Sequence, residues 1–200
     1  KRLKTDYVDL YQIHWPSRGH YNFDSYWRYA PEKQDTADAL ANMEEVLGAM
    51  GDLVREGKIR HFGLSNETTW GLAQWVRLAE EKGLPRAVSV QNEYSLIRRI
   101  FDHDMAELSH HEDVGLLAYS PLAGGMLSGK YFDGATPKGS RKDYQKGFWR
   151  LNEQSDAATH AYHEVAARHG LDPVQMAIAF CRTRPFITST IVGATSTEQL

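Results

Sequence analysis

The chain has 200 residues, a net charge of −3, and 24% charged against 42% hydrophobic residues, the profile of a globular domain with a substantial core. That balance gives no electrostatic case for nucleic acid or an anionic membrane surface as a partner, and no apolar run approaches the roughly 20 residues that span a bilayer. The charged start Lys1-Arg-Leu-Lys leads into no signal-like apolar stretch. The single cysteine, Cys181, excludes an internal disulfide and fits a reducing, cytoplasmic compartment.

The first strand is predicted from Tyr7 to His14, ended by Trp15-Pro16. A polar, aromatic stretch from Ser17 to Asp35 follows, with Tyr21, Phe23, Tyr26, Trp27 and Tyr29 close together; long ordered loops of this kind are usually functional. A helix is expected from about Thr36 to Arg55, with Leu40, Met43, Leu47, Met50 and Val54 on one face and Gly57 as its left-handed stop. Strand Lys58 to Leu64 leads to a helix from about Thr69 to Lys82, with Leu72, Val76 and Ala79 inward and Gly83 at the end. Strand Ala87 to Val90 leads to a helix from about Asp102 to His111, and strand Gly115 to Tyr119 to the turn Pro121-Leu-Ala-Gly124-Gly125. A polar segment, Tyr131 to Asn152, precedes helices at about Ser155 to Arg168 and Pro173 to Arg182. Asp172 caps the second, with proline at its first position. The last strand, about Thr188 to Val192, ends in Gly193-Ala-Thr195, and Thr195 to Glu198 fits a capping box that opens a further helix.

Strand-then-helix alternation predicts a parallel sheet. Its carboxyl ends open onto one face, where ligands bind, and the polar residues His14, Ser65, Asn66, Gln91, Tyr119 and Thr195 all follow apolar runs. Five strands ending where a helix begins suggest the later part of a longer chain, since a closed eight-stranded barrel needs about 250 residues. Composition and periodicity alone leave a partial barrel and an open doubly wound sheet both open.

Five stretches separate them: Asp6-Tyr-Val-Asp-Leu-Tyr-Gln-Ile-His14-Trp-Pro, Gly57-Lys-Ile-Arg-His-Phe-Gly-Leu-Ser65-Asn66, Val90-Gln91-Asn-Glu-Tyr94-Ser, Ala118-Tyr119-Ser-Pro-Leu-Ala-Gly-Gly-Met-Leu-Ser-Gly-Lys130-Tyr and Val192-Gly-Ala-Thr195-Ser-Thr-Glu198-Gln199-Leu. Together they resemble the aldo-keto reductases, in particular the bacterial Tas-like proteins and the potassium-channel β-subunits. The resemblance implies a (β/α)8 TIM barrel of which residues 1–200 supply the fourth strand to the start of the eighth helix, one barrel domain incomplete at both ends. It implies an NADPH-dependent reductase of aldehydes, ketones or quinone-like carbonyls. A cofactor-binding, redox-sensing subunit like the channel β-subunits is the alternative.

By resemblance His14 is the tetrad histidine, donating a hydrogen bond to the substrate carbonyl. The tetrad aspartate, tyrosine and lysine have no counterpart in this stretch, so the segment alone is expected to be inactive. Ser65, Asn66 and Gln91 are implied contacts to the nicotinamide carboxamide; read from residue type alone, Ser65-Asn66 equally suits the cap of the helix near Thr69. Tyr119 would stack on the nicotinamide ring. Ser120, Pro121, Leu122, Ala123, Gly124, Gly125, Ser128 and Gly129 would wrap the diphosphate, with Lys130 supplying positive charge. Arg141 is implied near the adenosine end, and Gly193, Thr195 and Gln199 at the 2′-phosphate, the reason to expect NADP rather than NAD. Trp15 and the aromatic stretch would shape the substrate pocket. All are expected to gather around one dinucleotide. No histidine pair carries the carboxylate partners of a metal site, so none is expected, and residue patterns leave an oligomer open.

Overall fold

A computed structural model of the chain describes residues 3–18, 30–145, 148, 150–194 and 197. Tyr21, Phe23, Tyr26, Trp27 and Tyr29, the capping box from Thr195 to Glu198, and Gln199 lie outside the described residues. Among those described, five strands follow one another in the sheet in chain order: β1 (Val8–Ile13), β2 (Ile59–Ser65), β3 (Ser89–Glu93), β4 (Gly115–Tyr119) and β5 (Ile187–Thr190). β1 pairs with β2, and β2 with β3, in parallel. This is the α/β alternation that the periodicity predicts. The chain divides into two compact units, Lys1–Asn92 with Asp104–Leu116, and Glu93–His103 with Leu117–Leu200.

In the first unit, α1 (Thr36–Arg55) starts at Asp35, whose carboxylate accepts the Asp38 N–H at 2.9 Å. Its inward face is Ala39, Met43, Leu47, Met50 and Gly51, rotated slightly from the predicted stripe, and Leu40 and Val54 are half-buried. Small residues win those positions because they allow close approach: a Cβ on Gly51 would stand 3.1 Å from Leu84. The helix α2 (Thr69–Lys82) is capped by Thr68, whose hydroxyl accepts the Gly71 N–H at 3.1 Å. Ser65 and Asn66 therefore do not cap it. Leu72, Val76 and Ala79 are buried as predicted, and Trp75 packs edge-on against Phe62. The helix α3 (Met105–His111) begins later than expected.

β3 starts two residues later and ends three residues later than its apolar run suggests. Its polar end is held by the ladder: Ser65 pairs with Gln91, and the Asn66 N–H donates to the Gln91 carbonyl at 3.0 Å. Gln12 lies opposite Gly63 and Ile13 opposite Leu64, while Leu64 lies opposite Val90. Alternation then sorts the side chains. Phe62, Leu64 and Val90 are buried on the helix-covered face. Gln12, Gly63 and Ser89 meet on the other, where a Cβ on Gly63 would lie 2.4 Å from Ser89 Oγ and 2.6 Å from Gln12 Oε1. The next row up that face is His14, Ser65 and Gln91.

The second unit holds α4 (Arg141–Tyr144), α5 (Glu153–Arg168) and α6 (Pro173–Arg182). Asn152 and Ser155 form a reciprocal capping box, so α5 starts before the predicted Ser155. Asp172 caps α6 as expected, accepting the Gln175 N–H at 2.8 Å. Ile100–Asp102 winds a 3-10 turn, and the Asp102 carboxylate takes bonds from Tyr94 Oη at 2.7 Å and Arg99 Nε at 2.6 Å instead of opening a helix. Tyr131–Asn152 is more than a polar loop: it carries a 3-10 turn at Phe132–Gly134 and α4, and it puts Tyr131 and Phe148 into the core with Ala123, Met126, Leu127 and Ala177. β5 ends at Thr190, and Ile191 and Val192 are exposed.

Candidate functional site

In the first unit the carboxyl ends of β1, β2 and β3 are laced together by side chains. Asn66, at φ 56° on the strand-to-helix corner, donates through Nδ2 to the His14 carbonyl at 2.9 Å and to Ser65 Oγ at 3.0 Å. Ser65 Oγ in turn donates to the Gln91 carbonyl at 2.9 Å. Sequence reasoning placed these residues together, and the structure does so. It also directs the Ser65 proton and the Asn66 amide hydrogens toward the protein, so their first task is to fix the three strand ends. The Gln91 side chain is half-buried and makes no hydrogen bond among the described residues, which leaves a complementary amide for an incoming carboxamide.

The His14 ring is exposed and stacks on Trp15, with centroids 4.3 Å apart and an interplanar angle of 24°. Trp15 itself is 51% exposed. It also borders a cavity of about 530 Å³, floored by Ile13, Leu64, Met43 and Trp75. Those are helix-side residues, and Ser65 at the end of β2 lines the cavity as well. Its wall holds a pair that residue patterns did not single out, Arg18 and Glu67, with side chains 10% and 2% exposed. Nothing local marks either residue; only folding brings them together.

In the second unit, the run from Ser120 to Lys130 is a succession of tight turns. Ser120, Ala123, Gly124, Gly125 and Gly129 all have positive φ, between 49° and 97°. Pro121 and Ala123 are buried, and Leu122 packs on the core. The N–H groups of Ala123, Gly125 and Gly129 donate to the carbonyls of Ser120, Leu122 and Met126, at 2.8, 2.9 and 2.9 Å, and Ser128 Oγ donates to the Gly125 carbonyl at 2.8 Å. Those amides close the turns. The capacity to hold an anion lies in the side chains that fold over them. A Cβ on Gly125 would meet Lys130 Cε at 2.3 Å and Nζ at 2.6 Å, and one on Gly124 would meet Arg141 Cδ at 3.3 Å. The Lys130 tip thus covers Gly125, while the Phe148 ring and the Arg141 stem cover Gly124, a convergence that no local motif encodes. Tyr119, half-buried at the end of β4, accepts the Tyr94 N–H on its carbonyl at 3.2 Å. Gly193 is exposed with open space beside it, while Thr195 and Gln199 lie outside the described residues. No group of three His, Cys, Asp or Glu side chains is gathered for a metal among the described residues, and no described helix is long and apolar enough to cross a membrane.

Parallel strands in chain order, with polar side chains at their carboxyl ends, define the α/β class in which barrel enzymes fall. The Aldo/keto reductase family model matches residues 1–200, and the chain belongs to that family. It is 46% identical over 201 residues to Protein tas of Escherichia coli (strain K12), a match covering 100% of this chain and 57% of that protein. It is 29% identical over 209 residues to the putative voltage-gated potassium channel subunit beta of Schizosaccharomyces pombe, covering 100% of this chain and 54% of that one. Among solved structures, a thermostable aldo-keto reductase in complex with the inhibitor epalrestat matches with a TM-score of 0.63 and 28% identity, over 99% of this chain and 53% of the other. The chain therefore spans little more than half the length of these relatives, and the structural neighbour identifies the fold as that of the aldo-keto reductase barrel.

Proposed function

We propose that the protein containing this chain is an NADPH-dependent oxidoreductase of the cytoplasm that reduces small aldehydes, ketones or quinone-like carbonyls. The observation that carries this reading is the register-fixed row His14, Ser65, Gln91 at three adjacent strand ends. When bound, NADPH supplies a hydride. The residues present suit it: Gln91 offers the donor and acceptor that match a carboxamide, and Lys130 and Arg141 over the Gly124-Gly125 turn suit a polyphosphate. His14 then holds the substrate oxygen by an N–H hydrogen bond that strengthens as negative charge develops there. Trp15, stacked on His14, limits how that ring turns and presents a flat apolar wall to the substrate.

The test is His14→Ala in the full-length protein. NADPH affinity should stay within about twofold, while kcat/KM for a model aldehyde falls by roughly 100- to 1,000-fold, the usual cost of losing one such donor. Unchanged turnover would refute the assignment. The likeness to a channel β-subunit supports a second reading, a cofactor-binding regulatory subunit, which predicts NADPH binding with negligible turnover in the unaltered protein.

A further inference from the structure

Glu67 directly follows Ser65-Asn66, and Arg18 lies four residues after His14. The two are 49 positions apart, yet the guanidinium forks onto the carboxylate: Nη1 donates to Oε2 at 3.1 Å and Nη2 to Oε1. Arg18 Nη2 also reaches Thr68 Oγ1 at 3.2 Å, and its guanidinium lies 5.2 Å from the centre of the Trp70 ring. Glu67 accepts in addition from Trp75 Nε1 at 3.1 Å and from the Thr68 N–H at 2.7 Å, and its carbonyl accepts Asn92 Nδ2 at 2.9 Å. Gly71 makes room: a Cβ there would stand 2.0 Å from Glu67 Oε1 and 2.3 Å from Arg18 Nη2.

An apolar pair of similar volume would serve stability as well or better, because two buried charges cost much of what their attraction returns. What this pair adds is direction. A planar fork matched to a carboxylate fixes both distance and angle, and the two backbones it fixes are the segment carrying His14 and Trp15 and the corner carrying Ser65 and Asn66. The Asn66 bond to the His14 carbonyl also joins that segment to the corner.

We propose that Arg18 and Glu67 are positioning residues: their buried fork holds the segment from His14 to Arg18 against the corner between β2 and α2, and so sets the angle at which His14 meets the substrate carbonyl. This rests on the reductase reading, and neither residue touches the reacting atoms.

The test compares three full-length proteins: unaltered, Arg18→Lys, and the double variant Arg18→Met with Glu67→Gln. Lysine keeps the charge and loses the fork and the ring contact. The double variant leaves no charge buried alone, and its glutamine amide keeps one acceptor oxygen, for either Trp75 Nε1 or the Thr68 N–H. With NADPH saturating, kcat for a model aldehyde should fall at least tenfold in both variants. The NADPH Kd should stay within twofold, and the double variant should melt within a few degrees of the unaltered protein. Recovery of kcat together with melting temperature in the double variant would show a purely structural pair and overturn the proposal. If the double variant fails to fold, Arg18→Lys decides: kcat within twofold of the unaltered value overturns the proposal equally. Absence of NADPH binding by the unaltered protein would instead remove the reductase reading beneath it.

Discussion

Replacing Gly125 with alanine separates two effects that the glycine turn combines. Gly125 sits at φ +97°, where an L side chain costs on the order of 1–2 kcal/mol. The new methyl would also occupy the place of Lys130 Cε and Nζ, at 2.3 and 2.6 Å. A lysine tip is flexible, so it moves aside at little energetic cost, and the consequence is a displaced ammonium. At no more than about 2–4 °C per kcal/mol for a protein longer than this chain, the full-length protein should melt lower by at most about 8 °C. If Lys130 holds a phosphate oxygen, its displacement forfeits a charge-assisted hydrogen bond of about 1.5–3 kcal/mol, roughly a 10- to 150-fold weaker NADPH Kd. Lys130→Met should cause the same loss of affinity without the loss of stability. The decisive measurement is the double variant, titrated by quenching of protein fluorescence. Because both changes remove one contact, Gly125→Ala should add nothing to Lys130→Met. Losses that multiply in the double variant, or an unchanged affinity in Lys130→Met, would refute the reasoning.

Thr68→Ala removes the cap of α2 and should lower stability by about 1–2 kcal/mol in denaturant unfolding, with an unchanged m-value. Burial pushes the Cys181 thiol up to about 11, and burial with the bond to Asp102 pushes the Tyr94 hydroxyl up as well. Both groups keep their protons in the folded state at pH values where the unfolded chain has released them. Their contribution is complete below about pH 8.5 and is lost as pH rises through the folded pKa values. Urea unfolding at pH 8, 9 and 10 should show declining stability with a smaller decline in Cys181→Ala, and identical slopes would refute this. Thiol reagents should likewise label Cys181 only upon unfolding, as judged by mass spectrometry.

Helices were legible where caps and periodicity agreed. Asp172-Pro173 and Gly83 mark their ends in sequence as they do in the structure. Boundaries failed where a side chain found a different partner: Asp102 serves Tyr94 and Arg99 rather than α3, and the polar end of β3 is held by its ladder. The row His14, Ser65, Gln91 was legible because polar residues after apolar runs mark strand ends. The Arg18–Glu67 fork and the return of Arg141 beside Gly124 were not, since each joins segments whose meeting depends on the whole fold.

Gly63 has a consequence beyond its own contacts. Gln12 and Ser89 reach toward each other across a position with no side chain, so three neighbouring strands are keyed at one point, like tumblers aligned by a notch. Sliding any strand by one residue would drive bulk into that notch. The alignment two residues further along, where the chemistry is expected, is therefore guarded by an atom that is missing rather than by any that is present.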